Sequence, residues 1–139
     1  MNKQVIFLSS KNSDFEEMYL KVRTLEKRVL SDEEVKLLPI ASASNIHRSE
    51  WAKRADTLNR FSRYVSGSPL HILDVGCGNG WFTNKLSSLG HSVVGLDVNA
   101  HELDQAARLF GGSRTQFIYG DIFASNFSES KFDMIIFNA

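Results

Sequence analysis

The sequence lacks the features that mark secreted, membrane-spanning and repetitive proteins. Its single cysteine, Cys77, excludes a disulfide within the chain and is typical of the reducing cytosol, so we expect a cytoplasmic protein. No apolar run approaches the roughly 20 residues of a membrane span. The opening stretch MNKQVIFLSS has too short an apolar core for a signal peptide. The sequence therefore predicts no membrane partner.

The chain also lacks an excess of charge of one sign. Sixteen Lys and Arg residues balance 16 Asp and Glu residues, and neither half is basic enough to indicate a nucleic-acid surface. His71, His91 and His101 are scattered along the chain and indicate no metal site. An apolar content of 42% is nevertheless typical of a globular protein with a packed core.

The hydrophobic pattern changes near residue 66. Residues 1–66 predict helices, because apolar residues recur at steps of three and four from Phe15 to Val29 and again from Trp51 to Val65. Ser13 or Asp14 would cap the first helix, and Ser31 with Glu34 forms a capping box for a short second one. From residue 67 onward, apolar runs alternate with helical segments, which indicates a doubly wound parallel sheet. The predicted strands are 70–75, 92–97, 116–119 and 132–137.

A glycine-rich turn follows the first predicted strand, in the stretch LHILDVGCGNGWFTNKL at residues 70–86. Asp74 ends the apolar run, and glycines at 76, 78 and 80 lead into a helix. Such a turn brings bare backbone close to a ligand. Ligands of these sheets bind beyond the carboxyl ends of the strands, where Asp97 is placed to accept hydrogen bonds from ribose hydroxyls. The pattern therefore favours an adenosine-type cofactor.

The spacing of the glycines separates two classes of cofactor. The dinucleotide pattern G-x-G-x-x-G needs a glycine at 81, where this chain has Trp81. The motif LDVGCGNG instead resembles motif I of the class I S-adenosylmethionine-dependent methyltransferases. Three later segments resemble the same family in order, namely VVGLDVN, FIYGDIF and FDMIIFNA. The resemblance covers residues 70–139, about half of the chain.

This resemblance implies a Rossmann-like fold whose first four strands lie in the order 3-2-1-4. It implies an N-terminal helical cap or lid at 1–66 and a partial cofactor-binding domain at 67–139. S-adenosylmethionine is the implied cofactor and S-adenosylhomocysteine the product. The residues implied in binding are Asp74, Gly76, Cys77, Gly78, Asn79, Gly80, Asp97, Val98, Asp121, Ile122 and Asn138.

The implied roles follow the two ends of the cofactor. The 76–80 backbone would lie against the methionine part, with Asp74 at its amino end. The Asn138 carbonyl would accept a hydrogen bond from the amino group of the methionine part, close to the reactive methyl.

At the nucleoside, Asp97 would bind the ribose hydroxyls, and Val98 would pack beside the adenine. Asp121 would accept a hydrogen bond from the adenine amino group, and the Ile122 N–H would donate one to a nitrogen of the adenine ring.

The implied reaction is methyl transfer, with a small molecule as the expected acceptor. A general base is optional in such a displacement, and the sequence identifies no catalytic residue. Two alternatives stay open, a cofactor-binding module without turnover and, less favoured, a nucleotide-dependent oxidoreductase.

Several of these residues have simpler interpretations. The three glycines could form a plain tight turn, and Asp121 could belong to an ordinary Gly-Asp turn. Cys77 is better explained as a small buried filler than as a reactive thiol. The stripe of Trp51, Leu58 and Phe61 is best explained as core packing, although His47, Arg48 and Trp51 could form part of a lid.

The family fold has seven strands, and the resemblance accounts for four. We therefore expect this chain to be an N-terminal fragment of a longer protein. An unpaired apolar strand tends to pair with another chain. The sequence thus predicts self-association through residues 132–138.

Overall fold

The computed structural model of the chain describes residues 3–127 and 131–138, and these residues form one parallel sheet flanked by helices. Five strands lie in the order β1-β4-β3-β2-β5. The elements in chain order are β1 (Ile6–Phe7), α1 (Ser13–Leu25), α2 (Asp32–Leu37), α3 (Arg48–Tyr64), β2 (His71–Val75), α4 (Trp81–Ser88), β3 (Ser92–Asp97), α5 (Ala100–Phe110), β4 (Thr115–Tyr119) and β5 (Met134–Phe137). The predicted Rossmann-like α/β class is confirmed, and β4-β3-β2-β5 reproduces the predicted order of four strands.

The first strand, β1, is an addition that the sequence analysis did not predict. Ile6 and Phe7 pair in parallel with Ile118 and Tyr119 of β4, at the edge of the sheet. Two residues are too few to show the period-two alternation by which a strand is recognised. The N-terminal segment therefore contributes to the sheet as well as to the helices.

Strand register brings the carboxyl ends of the central strands to one edge of the sheet. Val75 of β2 is level with Leu96 of β3 and with Phe137 of β5. Asp97, the next residue of β3, is level with Tyr119 at the end of β4. The segments that follow these strands therefore emerge side by side.

The boundaries of several helices follow local sequence signals. Gly80 is the N-cap of α4 in the left-handed conformation, and the predicted capping box of Ser31 and Glu34 is present at α2. The cap of α1 was predicted wrongly, because Asn12 holds that position and its Oδ1 accepts from the Phe15 N–H at 3.0 Å. An Asn one residue earlier satisfies the same free amide as well as Ser or Asp.

The core lies on both faces of the sheet. On one face Ile72 and Leu86 pack with Trp51 of α3, and Leu58 and Phe61 pack partly buried against the same cluster. The core-packing interpretation of this stripe is therefore confirmed. On the other face the apolar side of α5 packs against Phe117.

The apolar stripe of α1 faces away from the core. No residue of this helix is buried, and Met18 and Leu25 are 62% and 76% exposed. The polar side of the helix is turned inward instead: Glu16 Oε1 accepts from the Ala100 N–H at 2.7 Å, and Arg23 pairs with Glu102 at 3.5 Å. The periodicity predicted the helix correctly, but it did not predict which face contacts the domain.

The last described strand is less covered than the sequence predicted. Its apolar run was interpreted as a strand buried on both faces, but Ile135 and Phe137 are 58% and 70% exposed. Within the described residues β5 pairs only with β2, and its other edge has no partner strand. The expected burial was therefore wrong for this part of the chain.

Candidate functional site

A cavity of about 300 Å³ lies between the N-terminal helices and the carboxyl ends of β2, β3 and β5. Its floor is formed by the glycine turn, together with Asp97 and Asn138. Its roof comes from α1 and α3 and from the loops that flank them. The position is the one at which parallel sheets bind ligands.

The glycine turn is held close to β3 and α5. The Gly76 and Cys77 N–H groups both donate to the Leu96 carbonyl, at 2.8 and 3.2 Å. A Cβ on Gly78 would come within 3.3 Å of Glu102 Oε2, and one on Gly80 within 2.8 Å of the Ala106 Cβ. Both glycines also have positive φ, so side chains are disfavoured there by conformation and by space.

Asp97 joins the end of β3 to the glycine turn. Its Oδ2 accepts from the Gly78 N–H at 2.8 Å, and its Oδ1 accepts from the N–H groups of Val98 and Asn99 at 2.7 and 3.0 Å. Since a carboxylate offers about four acceptor positions, one position on Oδ2 is left for a ligand. Burial raises the pKa of Asp97, and the three amide bonds oppose that rise.

Asp74 lies beneath the turn and is not among the residues that line the cavity. Its side chain is buried, and Oδ2 accepts a hydrogen bond of 2.7 Å from the Thr83 hydroxyl. Burial raises the pKa of this carboxyl to about 7. Its role at the amino end of the cofactor stays a prediction.

Four basic side chains that the sequence analysis did not single out line the cavity: Arg23, Lys27, Arg28 and Arg54. Arg28 forms two hydrogen bonds with Glu50, at 3.0 and 3.1 Å, and these chiefly lower the pKa of Glu50 to about 2. Arg54 lies 4.6 Å from the centre of the Trp51 ring, in a cation–π contact. Arg23 and Arg54 lie in α1 and α3, and Lys27 and Arg28 follow α1 in the chain. These positions carried no sequence signal, because the folding of the N-terminal segment over the sheet brings them here.

Glu102 is a further lining residue that the sequence analysis missed. It accepts from Asn99 Nδ2 at 3.1 Å and pairs with Arg23, whose Nε is buried without a hydrogen-bond partner in the described part of the chain. Burial raises the pKa of Glu102. The one sequence signal that could have placed Glu102 at the site is its position in the first turn of α5, the helix that follows Asp97.

The helices over the cavity are linked through His47. One ring nitrogen of His47 lies 2.7 Å from the Glu26 carbonyl oxygen, and the other lies 3.3 Å from Glu50 Oε1. Both His47 and Trp51 line the cavity, whereas Arg48 does not. Trp51 also meets Trp81 edge to face, with ring centres 5.4 Å apart.

The residues expected around an adenine lie outside the cavity lining. Val98 is 37% exposed, and Ile122 packs partly buried against the cluster that contains Leu96. Asp121 Oδ1 accepts from the Phe123 N–H at 2.9 Å, the arrangement of an ordinary Asx turn. The adenine roles of these three residues therefore stay predictions.

Cys77 and Asn79 lie in the turn and line the cavity with Gly76 and Gly78, whereas Gly80 is not among the lining residues. The Cys77 thiol is buried against the bare backbone of Gly95, where a Cβ would come within 2.8 Å of the sulfur. Burial also raises the pKa of this thiol well above its usual value. These contacts favour the filler interpretation, since a reactive cysteine needs its thiolate form.

The fold and the site define a nucleoside-binding α/β domain. The defining features are an open parallel sheet, a glycine turn at the end of β2 and an acid, Asp97, at the end of β3. Residues 72–139 match the family model described as a methyltransferase domain. The chain is 36% identical over 67 residues to malonyl-[acyl-carrier protein] O-methyltransferase from Erwinia pyrifoliae, covering 48% of this chain and 25% of that protein. It is 44% identical over 55 residues to an uncharacterized RNA methyltransferase from Parasynechococcus marenigrum, and the match covers 37% of this chain and 12% of that protein.

Solved structures agree with this match. A TehB-like SAM-dependent methyltransferase from Corynebacterium glutamicum aligns with a TM-score of 0.50 and 28% identity, over 67% of this chain and 55% of that one. Magnesium protoporphyrin IX methyltransferase from Synechocystis, solved with bound SAH, shares the fold at 16% identity, with a TM-score of 0.62 over 90% and 55% of the two chains. Residues 72–139 belong to the class I S-adenosylmethionine-dependent methyltransferase family. The chain spans about a quarter of the length of the first curated relatives.

Among residues 3–127 and 131–138, none of the helices is both long enough and apolar enough to cross a membrane. In the same ranges, no three His, Cys, Asp or Glu side chains are grouped so that they could hold a metal ion.

Proposed function

We propose that the protein is a methyltransferase that uses S-adenosylmethionine and acts on a small-molecule acceptor. The observation that carries this proposal is the bond between Asp97 and the Gly78 N–H at the wall of the cavity. This bond places a carboxylate next to the glycine turn, where one side of a ligand meets bare backbone and the other meets an acceptor of hydroxyl hydrogen bonds. The match of residues 72–139 to the methyltransferase domain model supports the same assignment.

The groups around the cavity fit this cofactor. The buried Arg23 Nε has no partner in the described chain and is available as a donor to a ligand. Arg54, with its weak pairing to Glu50 at 4.0 Å, suits the cofactor's carboxylate. The free position on Asp97 Oδ2 accepts one ribose hydroxyl, and Asn138 offers its carbonyl oxygen to the amino group.

When bound, S-adenosylmethionine supplies a methyl group on a positively charged sulfur. The contribution of this chain is to bind, orient and exclude water. The helices α1 and α3 cover the cavity as a lid. The N-terminal segment is linked to the domain by hydrogen bonds that include Glu16 to the Ala100 N–H and Gln105 to the carbonyl of Leu30, which lies between α1 and α2. The lid covers one side of the space in which the acceptor and the methyl group would meet. No side chain is assigned as a general base.

A small acceptor is favoured by the modest volume of the cavity, about 300 Å³, and by the zero net charge of the chain. One relative is named for a malonyl-carrier protein and another for RNA, so the comparisons leave the acceptor open, a nucleic acid included. A binding module without turnover is the alternative function, and a measurement of turnover distinguishes the two.

Calorimetry with S-adenosylhomocysteine tests the proposal, with NAD as the competing ligand. We expect the protein to bind S-adenosylhomocysteine and not NAD.

The variant Asp97→Ala tests the site itself. Its binding of S-adenosylhomocysteine should be weaker by about 1–3 kcal/mol, because hydrogen bonds to a charged group are lost. Asp104→Ala on the exposed side of α5 is the matched control and should bind as the wild type does. Tighter binding of NAD, or unchanged affinity in Asp97→Ala, would contradict the proposal. Release of S-adenosylhomocysteine from S-adenosylmethionine with an acceptor distinguishes turnover from binding alone.

A further inference from the structure

A second cavity, of about 350 Å³, adjoins the cofactor cavity on its outer side. We call it the outer cavity and define it by its lining, in which the side chains of Thr24, Ser42 and Ser44 offer hydroxyls. Lys27, Leu30 and Asn45 line both cavities, so they stand at the boundary between the two. A molecule in the outer cavity would therefore reach the cofactor past these three side chains.

Lys27 is the cation of this boundary that has no partner. Within the described residues its ammonium group forms no ion pair or side-chain hydrogen bond, whereas Arg23, Arg28 and Arg54 each lie within 4.0 Å of a glutamate oxygen. The acid of the outer cavity, Glu34, accepts from the Ser31 N–H at 2.8 Å in the capping box. The positive charge of Lys27 is therefore available to a ligand.

The backbone at Lys27 makes a lysine there unexpected on grounds of stability. Its φ is 55°, the one positive value among the described residues other than glycine. The position closes α1 with two bonds typical of a Schellman turn, Lys27 N–H to the Thr24 carbonyl and Arg28 N–H to the Arg23 carbonyl. Glycine is the preferred residue at this position, because it adopts positive φ without strain. A lysine held here suggests that its side chain has a function of its own.

We propose that the methyl acceptor carries an anionic oxygen group, a carboxylate or a phosphate, which pairs with Lys27, and that it enters from the outer cavity. This proposal rests on the proposed function and specifies the substrate class. The hydroxyls of Ser42 and Ser44 add neutral partners for the same anion, and their side chains lie 3.2 Å apart. Arg54 and Arg23 then remain to bind the carboxylate of the cofactor. The anionic group of the acceptor and the carboxylate of the cofactor would therefore each pair with a different cation.

The test uses the protein saturated with S-adenosylhomocysteine and three probes, namely sodium malonate, inorganic phosphate and the neutral malonamide, at constant ionic strength. Binding is followed by tryptophan fluorescence, because the chain has two tryptophans, Trp51 and Trp81, and both line the cofactor cavity. We expect malonate or phosphate to bind and malonamide not to bind. The anion that binds more tightly distinguishes a carboxylate acceptor from a phosphate acceptor.

Lys27→Gly is the decisive variant, since it removes the charge and also suits the positive φ. We expect its melting temperature to be at least that of the wild type and its dissociation constant for the anion to rise about tenfold or more. Lys27→Arg should bind within about threefold of the wild type. Lys53→Ala on the exposed side of α3 is the control and should change neither value.

Three results would overturn the proposal. The first is equal binding of malonamide and the two anions. The second is unchanged anion affinity in Lys27→Gly. The third is a tenfold loss of S-adenosylhomocysteine affinity in Lys27→Gly with unchanged affinity for methylthioadenosine, which lacks the amino acid; Lys27 would then hold the cofactor's carboxylate. If the wild type binds no S-adenosylhomocysteine, the proposed function fails first and this inference falls with it.

Discussion

The hydroxyl of Thr83 on α4 donates a hydrogen bond of 2.7 Å to Oδ2 of Asp74 on β2, beneath the glycine turn. Both side chains are buried, with exposures of 0% and 2%. The bond ties the first strand of the central sheet to the helix that follows the turn. A buried carboxyl with one neutral partner is more stable protonated than ionised, and burial raises the pKa of Asp74 to about 7.

The titration of Asp74 should make the protein less stable as the pH rises. Its pKa of about 7 lies above the ordinary value of 3.8, so between these values the folded state binds more protons than the unfolded state. The free energy of unfolding should therefore fall between about pH 4 and pH 7 and level off above, by at most about 4 kcal/mol. Urea unfolding over that range measures the slope.

Asp74→Asn is the control for this slope, because an amide keeps an acceptor for Thr83 but does not titrate. The slope due to Asp74 should disappear in this variant, while those of Asp97 and Glu102, whose pKa values burial also raises, should persist. A slope identical to that of the wild type would show that Asp74 is already ionised in the folded protein. The same variant tests its predicted place at the amino end of the cofactor. Weaker binding of S-adenosylhomocysteine, with unchanged binding of methylthioadenosine, would support that role.

Two glycines of the turn share a conformation but differ in their surroundings. Gly76 and Gly80 have φ values of 76° and 78°, but a Cβ on Gly76 meets nothing within 4 Å, whereas one on Gly80 would lie 2.8 Å from Ala106 and from Phe117. We expect Gly80→Ala to be less stable than Gly76→Ala by about 1–3 kcal/mol, the range for overpacking a core. Thermal and urea unfolding of the pair give this difference. Equal losses would mean that conformation alone accounts for both.

The unpaired edge of β5 should cause self-association, as the sequence predicted for residues 132–138. Ile135 and Phe137 are exposed on a strand whose second edge has no partner in the described residues. Ile135→Lys should shift the protein toward the monomer in sedimentation velocity experiments, since charge on an edge strand opposes pairing.

The exposed stripe of α1 offers the matched control for this experiment, through Met18→Lys. A wild type that is monomeric at all concentrations would contradict the predicted association. If Met18→Lys dissociates the protein and Ile135→Lys does not, the contact lies on α1 instead.

The elements around the site followed largely from local sequence. The bounds of β3 agree with the predicted range 92–97, and α4 begins directly after Gly80, the glycine that leads into it in the sequence. The position of Asp97 at the end of a strand placed its carboxylate at the cavity without any knowledge of the neighbouring elements. Such predictions succeed because hydrophobic period and turn residues act over a few positions along the chain.

Other features were decided by contacts between distant segments. The sequence showed an apolar stripe on α1, but the folded protein turns Glu16 and Arg23 inward, because partners on α5 meet them there. The roof of basic side chains depends on the same placement. The pairing of β1 with β4 joins residues more than 100 positions apart in the chain, and no local pattern encodes it.

The sequence by itself determined the alternation of strands and helices, the glycine turn and the acid beside it. Only the tertiary structure decided that Asp74 points beneath the turn to Thr83, and that Lys27 and Arg54 line one cavity. The physical reason is that local periodicity sets the type of an element, whereas the direction in which its side chains face depends on which distant surfaces bury them.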